Sequence, residues 1–204
     1  MESVMGLFDG IKGILGFGAE TAARTEADPD DLFGMSTAYL TMHADLDFDA
    51  VGTAGLCFAG VDSTDFADTV ENVEGIIEAG EEGAIAETHE DDHGYRWVVL
   101  EADDFEDLVV GVHAAADEFE QRGYDSRLLA AVFGFEGSDG TRAYWIYSFR
   151  RGSYYPFVPA GANDRDNGTE FKLRSVLEGE LDVEDDESYW YPLWPNSPGG
   201  HPWE

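Results

Sequence analysis

The stretch from Asp104 to Ser148 reads DFEDLVVGVHAAADEFEQRGYDSRLLAAVFGFEGSDGTRAYWIYS. In its first half, apolar residues recur every three or four positions up to Gly123, a pattern that predicts an amphipathic helix over about 104–123. In its second half, two apolar runs flank the turn SDG at 138–140, and this predicts an antiparallel β-hairpin. A helix followed directly by a hairpin indicates an α+β fold, because the strands pair with each other and leave the helix to cover the sheet.

The sequence on either side of this stretch continues the alternation of helices and extended runs. Residues 84–102 contain two extended runs around an acidic turn that ends at Gly94, which predicts a second hairpin. Pro156 suits an edge strand, because proline has no N–H to give to a β-ladder. Together these patterns predict an α+β fold, with a mainly antiparallel sheet of about five to six strands and helices packed on one face. Further helices are predicted over 32–46, 65–80 and 168–181, and further strands over 54–61 and 154–158.

The chain divides by composition into one domain and three appendages. Residues 32–194 carry the helical and extended patterns and are expected to form a single α+β domain. Residues 1–18 form an amphipathic segment, residues 19–31 are small, polar and acidic as in a linker, and residues 195–204 form a tail rich in proline and glycine. The hydrophobic content of 43% supports a packed core.

The chain is strongly acidic, with 44 Asp and Glu against 11 Lys and Arg and a formal net charge of -33. Such a surface repels itself in dilute salt and is screened in concentrated salt, which is typical of cytosolic proteins from salt-loving archaea. Duplex nucleic acid is an unsuitable partner, since phosphate binding needs a basic surface. Cys57 is the only cysteine, which excludes an intramolecular disulfide and favours a reducing, cytoplasmic location.

A zinc-enzyme motif occurs at residues 89–93, where HEDDH matches H-E-x-x-H letter for letter. On a helix, two histidines four residues apart share a face and ligate zinc, and the glutamate activates a water molecule. Here the motif falls in the predicted hairpin loop, where that geometry is not enforced. His89, Glu90 and His93 are therefore candidates for a metal-dependent hydrolase, while the context favours neither a resident metal nor another cofactor.

The N-terminal segment MESVMGLFDGIKGILGFG carries an apolar stripe at helical spacing. The stripe resembles the inserted face of short peptides that lie in the membrane interface. An N-terminal helix docked on this protein or on a partner explains the same pattern, and the residues do not separate the two interpretations. The candidate membrane-contact residues are Leu7, Phe8, Ile11, Ile14 and Leu15.

Two arginines and several aromatic residues are concentrated in FRRGSYYPFVP, residues 149–159. Protein interfaces favour tyrosine, tryptophan and arginine, so this stretch and the aromatic end of the domain predict a partner-binding surface. The alternative is that the arginines pair with carboxylates of this acidic chain, while the aromatic residues alternate between core and surface along a strand. The candidate residues are Arg150, Arg151, Tyr154, Tyr155, Phe157, Trp190 and Trp194.

Several stretches together resemble one family: MGLFDGIKGILG, AGLCF, YDSRLLAAVFGF, FRRGSYYPFVP, DRDNGTEFKLRSVL and WYPLW. They are similar to the PspA-associated protein PspAB family, over about Met5 to Trp194, with RRGSYYPF as the most specific piece. The resemblance implies a cytoplasmic accessory protein of a phage-shock-type envelope-stress response that works with the membrane-remodelling protein PspA. The resemblance also implies an HtpX-type membrane metalloprotease as a second candidate partner. It implies no catalytic residues for this chain.

The function predicted on these grounds is that of a non-enzymatic adaptor that binds protein partners at the cytoplasmic face of the membrane. Two alternatives stay open from the residues alone. The first is a metal-dependent hydrolase that uses the histidine loop, and the second is a chaperone-like module that binds a client segment.

Overall fold

The structure is a computed structural model that describes residues 27–80, 85–90, 95–161 and 164–194. Within these residues the chain forms four α-helices and a six-stranded sheet. The helices are α1 (Gly34–Leu46), α2 (Thr64–Gly80), α3 (Phe105–Gln121) and α4 (Asn167–Leu177). The strands are β1 (Phe48–Ala59), β2 (Ile85–Glu90), β3 (Tyr95–Glu101), β4 (Leu128–Gly137), β5 (Arg142–Ser148) and β6 (Ser153–Phe157). Short 3-10 turns lie at Pro29–Phe33, Asp125–Arg127 and Glu187–Tyr189.

The six strands form one open sheet in the order β2-β3-β1-β4-β5-β6, and every neighbouring pair is antiparallel. The two hairpins predicted from the sequence are β2-β3 and β4-β5, and both are confirmed. Strand β6 lies at the outer edge of the sheet, as Pro156 predicts. The α+β class with a mainly antiparallel sheet is therefore confirmed.

Helices α2 and α3 pack on one face of the sheet through phenylalanine rings. Phe58 of β1 contacts Phe66 of α2 and Phe119 of α3, with ring centroids 5.9 and 4.7 Å apart. At the start of α3, Phe105 contacts Phe133 of β4 at 5.9 Å. Each such ring removes about 150–250 Å² from water, so these contacts hold the helices on what we call the helical face of the sheet.

The turn before α1 is held on the same helical face by two tyrosines. The hydroxyl of Tyr147 donates to the carboxylate of Asp31 at 2.9 Å. The hydroxyl of Tyr154 lies 3.3 Å from the carbonyl oxygens of both Asp31 and Leu32. Burial, and the neighbouring Asp31, raise the pKa of Tyr147. Its hydroxyl therefore stays protonated and continues to donate its hydrogen bond.

Strand β1 is longer than the strand predicted over 54–61, because it begins at Phe48. Its register against β4 shifts between Ala50 and Ala54, and Gly52 within this bulge has a φ of 76°. Ala50 to Ala54 spans four residues of β1 where Phe135 to Phe133 spans two of β4, so two residues of β1 are extra at this point. A glycine inside a strand weakens its sequence pattern, and Gly52 therefore separates the start of β1 from the strand that was predicted.

Candidate functional site

His89 and Glu90, the first two residues of the zinc-enzyme motif, are the last residues of strand β2. Successive residues of a strand point to opposite faces of the sheet. The carboxylate of Glu90 pairs with Arg96 at 2.9 Å, whereas Nε2 of His89 lies 3.5 Å from the carboxylate of Glu87. These two residues therefore lack the helical geometry of a zinc enzyme, and His93 lies outside the described residues. Within the described ranges, no group of three or more His, Cys, Asp or Glu is placed to hold a metal ion.

Arg151 of the RRGSYYPF motif forms an internal ion pair. Its Nε lies 2.6 Å from Oε2 of Glu184, and the two side chains are only 11% and 2% exposed. Its guanidinium carbon lies 3.9 Å from the ring centroid of Tyr189, which is a cation–π contact. The hydrogen bond to Glu184 raises the pKa of Arg151 above its ordinary value. Arg151 thus ties the turn between β5 and β6 to the segment that follows α4.

A second internal ion pair joins Arg165 to Glu170 of α4. Oε1 of Glu170 accepts from Nε of Arg165 at 2.9 Å and from the backbone N–H of Val158 at 2.8 Å. Nη1 of Arg165 donates to the carbonyl of Trp190 at 2.6 Å. Burial raises the pKa of Glu170, and the hydrogen bonds from Arg165 and Val158 oppose that rise. One guanidinium therefore holds together the end of β6, helix α4 and the segment around Trp190.

Sequence reasoning did not single out Glu170 or Glu184, although they are 2% and 1% exposed. Glu184 lies in LDVEDDES, where its neighbours are also acidic, so composition does not separate it from solvated carboxylates. A signal for Glu170 is present, because Leu173 and Leu177 follow it at helical spacing and all three are buried in α4. A carboxylate on a buried apolar stripe needs a cationic partner, so this position of Glu170 predicts an ion pair with one of the nearby arginines.

The aromatic candidates of the predicted partner surface lie in the interior of the protein. Along β6 the side chains alternate, so that Tyr154 points to the helical face while Tyr155 and Phe157 point to the opposite one. Burial raises the pKa of Tyr155, whose hydroxyl has no hydrogen-bond partner among the described atoms. In this conformation the aromatic residues fill the core, and Arg150 is the exposed member of the candidate set. The buried members are Tyr154, Tyr155, Phe157, Trp190 and Trp194.

Three cations of the described ranges, Arg127, Arg150 and Lys172, are exposed and have no ion-pair partner there. The backbone N–H of Phe149 donates to the carbonyl of Leu129 at 3.2 Å. Arg127 and Arg150 therefore lie at the same end of the β4-β5 hairpin, and we call them the arginine pair. Lys172 lies on α4. The described arginines that do have carboxylate partners are Arg96, Arg122, Arg142, Arg151, Arg165 and Arg174.

The five candidate membrane-contact residues, Leu7, Phe8, Ile11, Ile14 and Leu15, lie outside the described residues. The described chain begins at Ala27, and Asp28 then caps the turn Pro29–Phe33 by accepting from the N–H of Asp30 at 3.0 Å. None of the helices that the structure describes combines the length and the apolar character needed to cross a membrane.

The fold and its internal ion pairs define an α+β protein built on an open antiparallel sheet, in which motif arginine and aromatic residues stabilise the core. The family model of PspA associated protein B matches residues 5–203. The chain belongs to this family, as the resemblance of its motifs predicted. The match continues past Trp194, where the resemblance read from the motifs ends. No curated protein and no solved structure matches the chain.

Proposed function

We propose that this protein is a non-enzymatic accessory factor that binds a PspA-type protein at the cytoplasmic face of the membrane. The observation that carries the proposal is the family match over residues 5–203, because the description of the family names association with PspA. The two internal ion pairs support a non-enzymatic role for the motif arginines, since Arg151 and Arg165 are engaged in structural contacts.

The arginine pair, Arg127 and Arg150, is the surface that we propose for the partner. A net charge of -33 makes most of the protein surface repel an acidic partner. Both arginine side chains are exposed and lack a carboxylate partner within the described residues, so each can donate two parallel hydrogen bonds to a carboxylate of the partner. Half-buried Phe149 adds apolar area beside them. We therefore expect the partner to present acidic side chains to this end of the hairpin.

Co-purification of a PspA-type protein with the full chain tests this placement. Arg150→Glu should reduce recovery of the partner about tenfold, because it replaces an attraction by a repulsion at the interface. Lys172→Glu is the matched control, since it changes the net charge by the same amount and should leave recovery unchanged. Recovery should be measured at two salt concentrations, because contacts between exposed charges weaken as salt screens them.

The outcomes of this experiment separate the surface from the function. Equal recovery with wild type, Arg150→Glu and Lys172→Glu would remove the arginine pair from the interface. Failure of the wild-type chain to retain a PspA-type protein would contradict the accessory role itself. Arg151 is unsuitable as a probe, since its replacement disrupts an internal ion pair. A loss of partner recovery could then result from unfolding of the variant as well as from a lost contact.

A further inference from the structure

Helix α1 differs from the other surface helices because its exposed side is almost without charge. The helix contains no lysine, arginine or glutamate, and Asp45 is its one aspartate. In a chain with a net charge of -33, an uncharged helix face is a place where another acidic surface can approach without repulsion. Helix α2, by comparison, exposes a series of acidic residues, which includes Asp65, Asp68, Glu71 and Glu78.

Uncharged side chains form a continuous stripe along the exposed side of α1. We call Phe33, Thr37, Leu40 and Ala44 the α1 stripe, and all four are exposed. At about 100° per residue they fall within about 60° of one another around the helix axis, whereas Asp45 lies about 140° from Leu40. Phe33 is the N-cap of α1 and already has helical dihedrals, with φ -64° and ψ -20°. Leu40 is 67% exposed, so a large apolar side chain stands in water at the middle of the stripe.

Neighbouring groups extend the stripe and give it a polar border. The ring of Phe33 packs on that of His113 of α3 with centroids 4.3 Å apart. Val110 lies one turn before His113 and is 41% exposed. At the other side of the stripe, the hydroxyl of Thr41 donates to the carboxylate of Glu180 at 2.7 Å. The surface therefore has an apolar centre and a hydrogen-bonded polar rim, which is the usual composition of a protein interface.

We propose that the α1 stripe packs against the α1 stripe of a second copy of this chain, with the two helices antiparallel about a two-fold axis. The stripe is complementary to itself in this arrangement. An axis that passes midway between residues 38 and 39 places Leu40 opposite Thr37 of the other copy. The same axis places Phe33 opposite Ala44. Each large side chain then meets a small one, as helices require when their side chains interdigitate.

Charge favours a second copy over other occupants of the stripe. A basic partner would bind the acidic surface that α2 and the rest of the chain present, and would gain nothing from an uncharged helix. An acidic partner is confined to places without carboxylates, and this chain is itself such a partner, with a net charge of -33. Both copies bring the same uncharged stripe, so their contact buries no unpaired charge.

The size of the stripe predicts a weak dimer whose stability rises with salt. Helix α1 has 13 residues and is about 20 Å long, so one such helix pair buries less than the roughly 1,200 Å² of a stable interface. The two acidic copies also repel each other over the rest of their surfaces, and salt screens that repulsion. Dimerisation should therefore strengthen in concentrated salt, whereas binding of a partner to the arginine pair should weaken. Self-association is thus separate from the proposed partner binding.

Sedimentation equilibrium of the full chain tests the dimer, over about a hundredfold range of protein concentration and at two salt concentrations. Wild type should pass from monomer to dimer as concentration rises, and should do so at a lower concentration in the higher salt. Leu40→Glu should raise the dissociation constant at least about tenfold, because the dimer would bury two unpaired carboxylates. Ile76→Glu is the matched control, since it also puts glutamate in place of an exposed aliphatic side chain, but on α2. It should leave the dissociation constant unchanged.

A mixture of two variants tests the antiparallel pairing. Thr37→Glu and Leu40→Lys should each weaken the dimer alone and form a heterodimer when mixed, because the new carboxylate of one chain then lies opposite the new ammonium group of the other. Circular dichroism of every variant checks that the fold is retained. Leu40→Ala, which adds no charge, should weaken the dimer in the same direction as Leu40→Glu.

Three outcomes would overturn the proposal. The first is a wild-type chain that stays monomeric at every concentration and salt, and the second is an equal dissociation constant for Leu40→Glu and Ile76→Glu. The third is a mixture of Thr37→Glu and Leu40→Lys that associates no more than its two components. If wild type is monomeric and Leu40→Glu no longer retains a PspA-type protein, the stripe belongs to that partner and the dimer is likewise overturned.

Discussion

Arg150 and Arg151 are neighbours of the same chemical type, yet alanine at the two positions should have very different effects on stability. Arg151→Ala removes the cation that pairs with Glu184, a side chain only 2% exposed. A carboxylate that stays buried without its cation has lost hydration and receives no Coulomb attraction in return. Arg150 is exposed and has no ion-pair partner within the described residues, so Arg150→Ala removes no comparable contact.

The free energy of unfolding that Arg151→Ala should remove follows from the contacts that are lost and those that are kept. Removal of one partner of a buried ion pair costs about 3–5 kcal/mol. Glu184 keeps the hydrogen bond from the N–H of Asp186 at 3.0 Å and a longer one from Ser153 at 3.4 Å, which favours the lower end of that range. The lost cation–π contact with Tyr189 adds about 0.5–1 kcal/mol. We expect a total of about 4 kcal/mol, a large part of the 5–15 kcal/mol that stabilises a typical protein.

Urea unfolding at constant salt, followed by circular dichroism and tryptophan fluorescence, measures both free energies of unfolding. Arg150→Ala should lie within about 0.5 kcal/mol of wild type. Adding Glu184→Gln to Arg151→Ala should recover about 1–2 kcal/mol, because the buried charge is then absent. Equal unfolding of Arg150→Ala and Arg151→Ala would refute the assignment of Arg151 to an internal ion pair.

Two further predictions concern the cap of α4 and the N-terminal segment. Asp166→Ala should cost about 1 kcal/mol at neutral pH, because its carboxylate accepts from the N–H of Thr169 at 3.0 Å and from its hydroxyl at 2.7 Å. These bonds lower the pKa of Asp166, so the contribution is present above the ordinary aspartate pKa of about 3.9 and is lost as pH falls through the lowered pKa. In thermal unfolding, the difference in unfolding temperature between Asp166→Ala and wild type should become smaller in acid. A difference that does not change with pH would contradict the role of Asp166 as the helix cap. In flotation with liposomes, the full chain should rise with the lipid and a chain that starts at Ala27 should not, since residues 1–18 carry the apolar stripe; equal flotation would exclude the segment as the membrane contact.

Much of the fold could be predicted because its signals are local. The apolar stripe of α3 and the SDG turn at 138–140 predicted a helix and a hairpin, and both are present. The start of β1 was missed because Gly52, which lies in the irregular part of the β1-β4 ladder with a φ of 76°, interrupts the strand pattern. The strand order was also beyond the sequence, since β1 pairs with β3 and β4 across intervening helices.

Less of the candidate site could be predicted, because burial is a property of distant neighbours. The aromatic residues of FRRGSYYPFVP were assigned either to a partner surface or to a strand that alternates between core and surface. Both faces of β6 are buried, so its aromatic side chains lie in the interior and do not alternate between core and solvent. The pairing of the two arginines with carboxylates, offered as the alternative, holds for Arg151 but not for Arg150 within the described residues.

The sequence by itself determined the α+β class, the two hairpins and the family, because periodicity, turn residues and motif letters are encoded in neighbouring positions. Only the tertiary structure decided between Arg150 and Arg151. Local chemistry is the same for both, and Glu184, the carboxylate that holds Arg151 inside the protein, lies 33 residues further along the chain. A guanidinium becomes internal when folding brings a desolvated carboxylate next to it. The ion pair between Arg151 and Glu184 therefore depends on how the segment after α4 packs against β6.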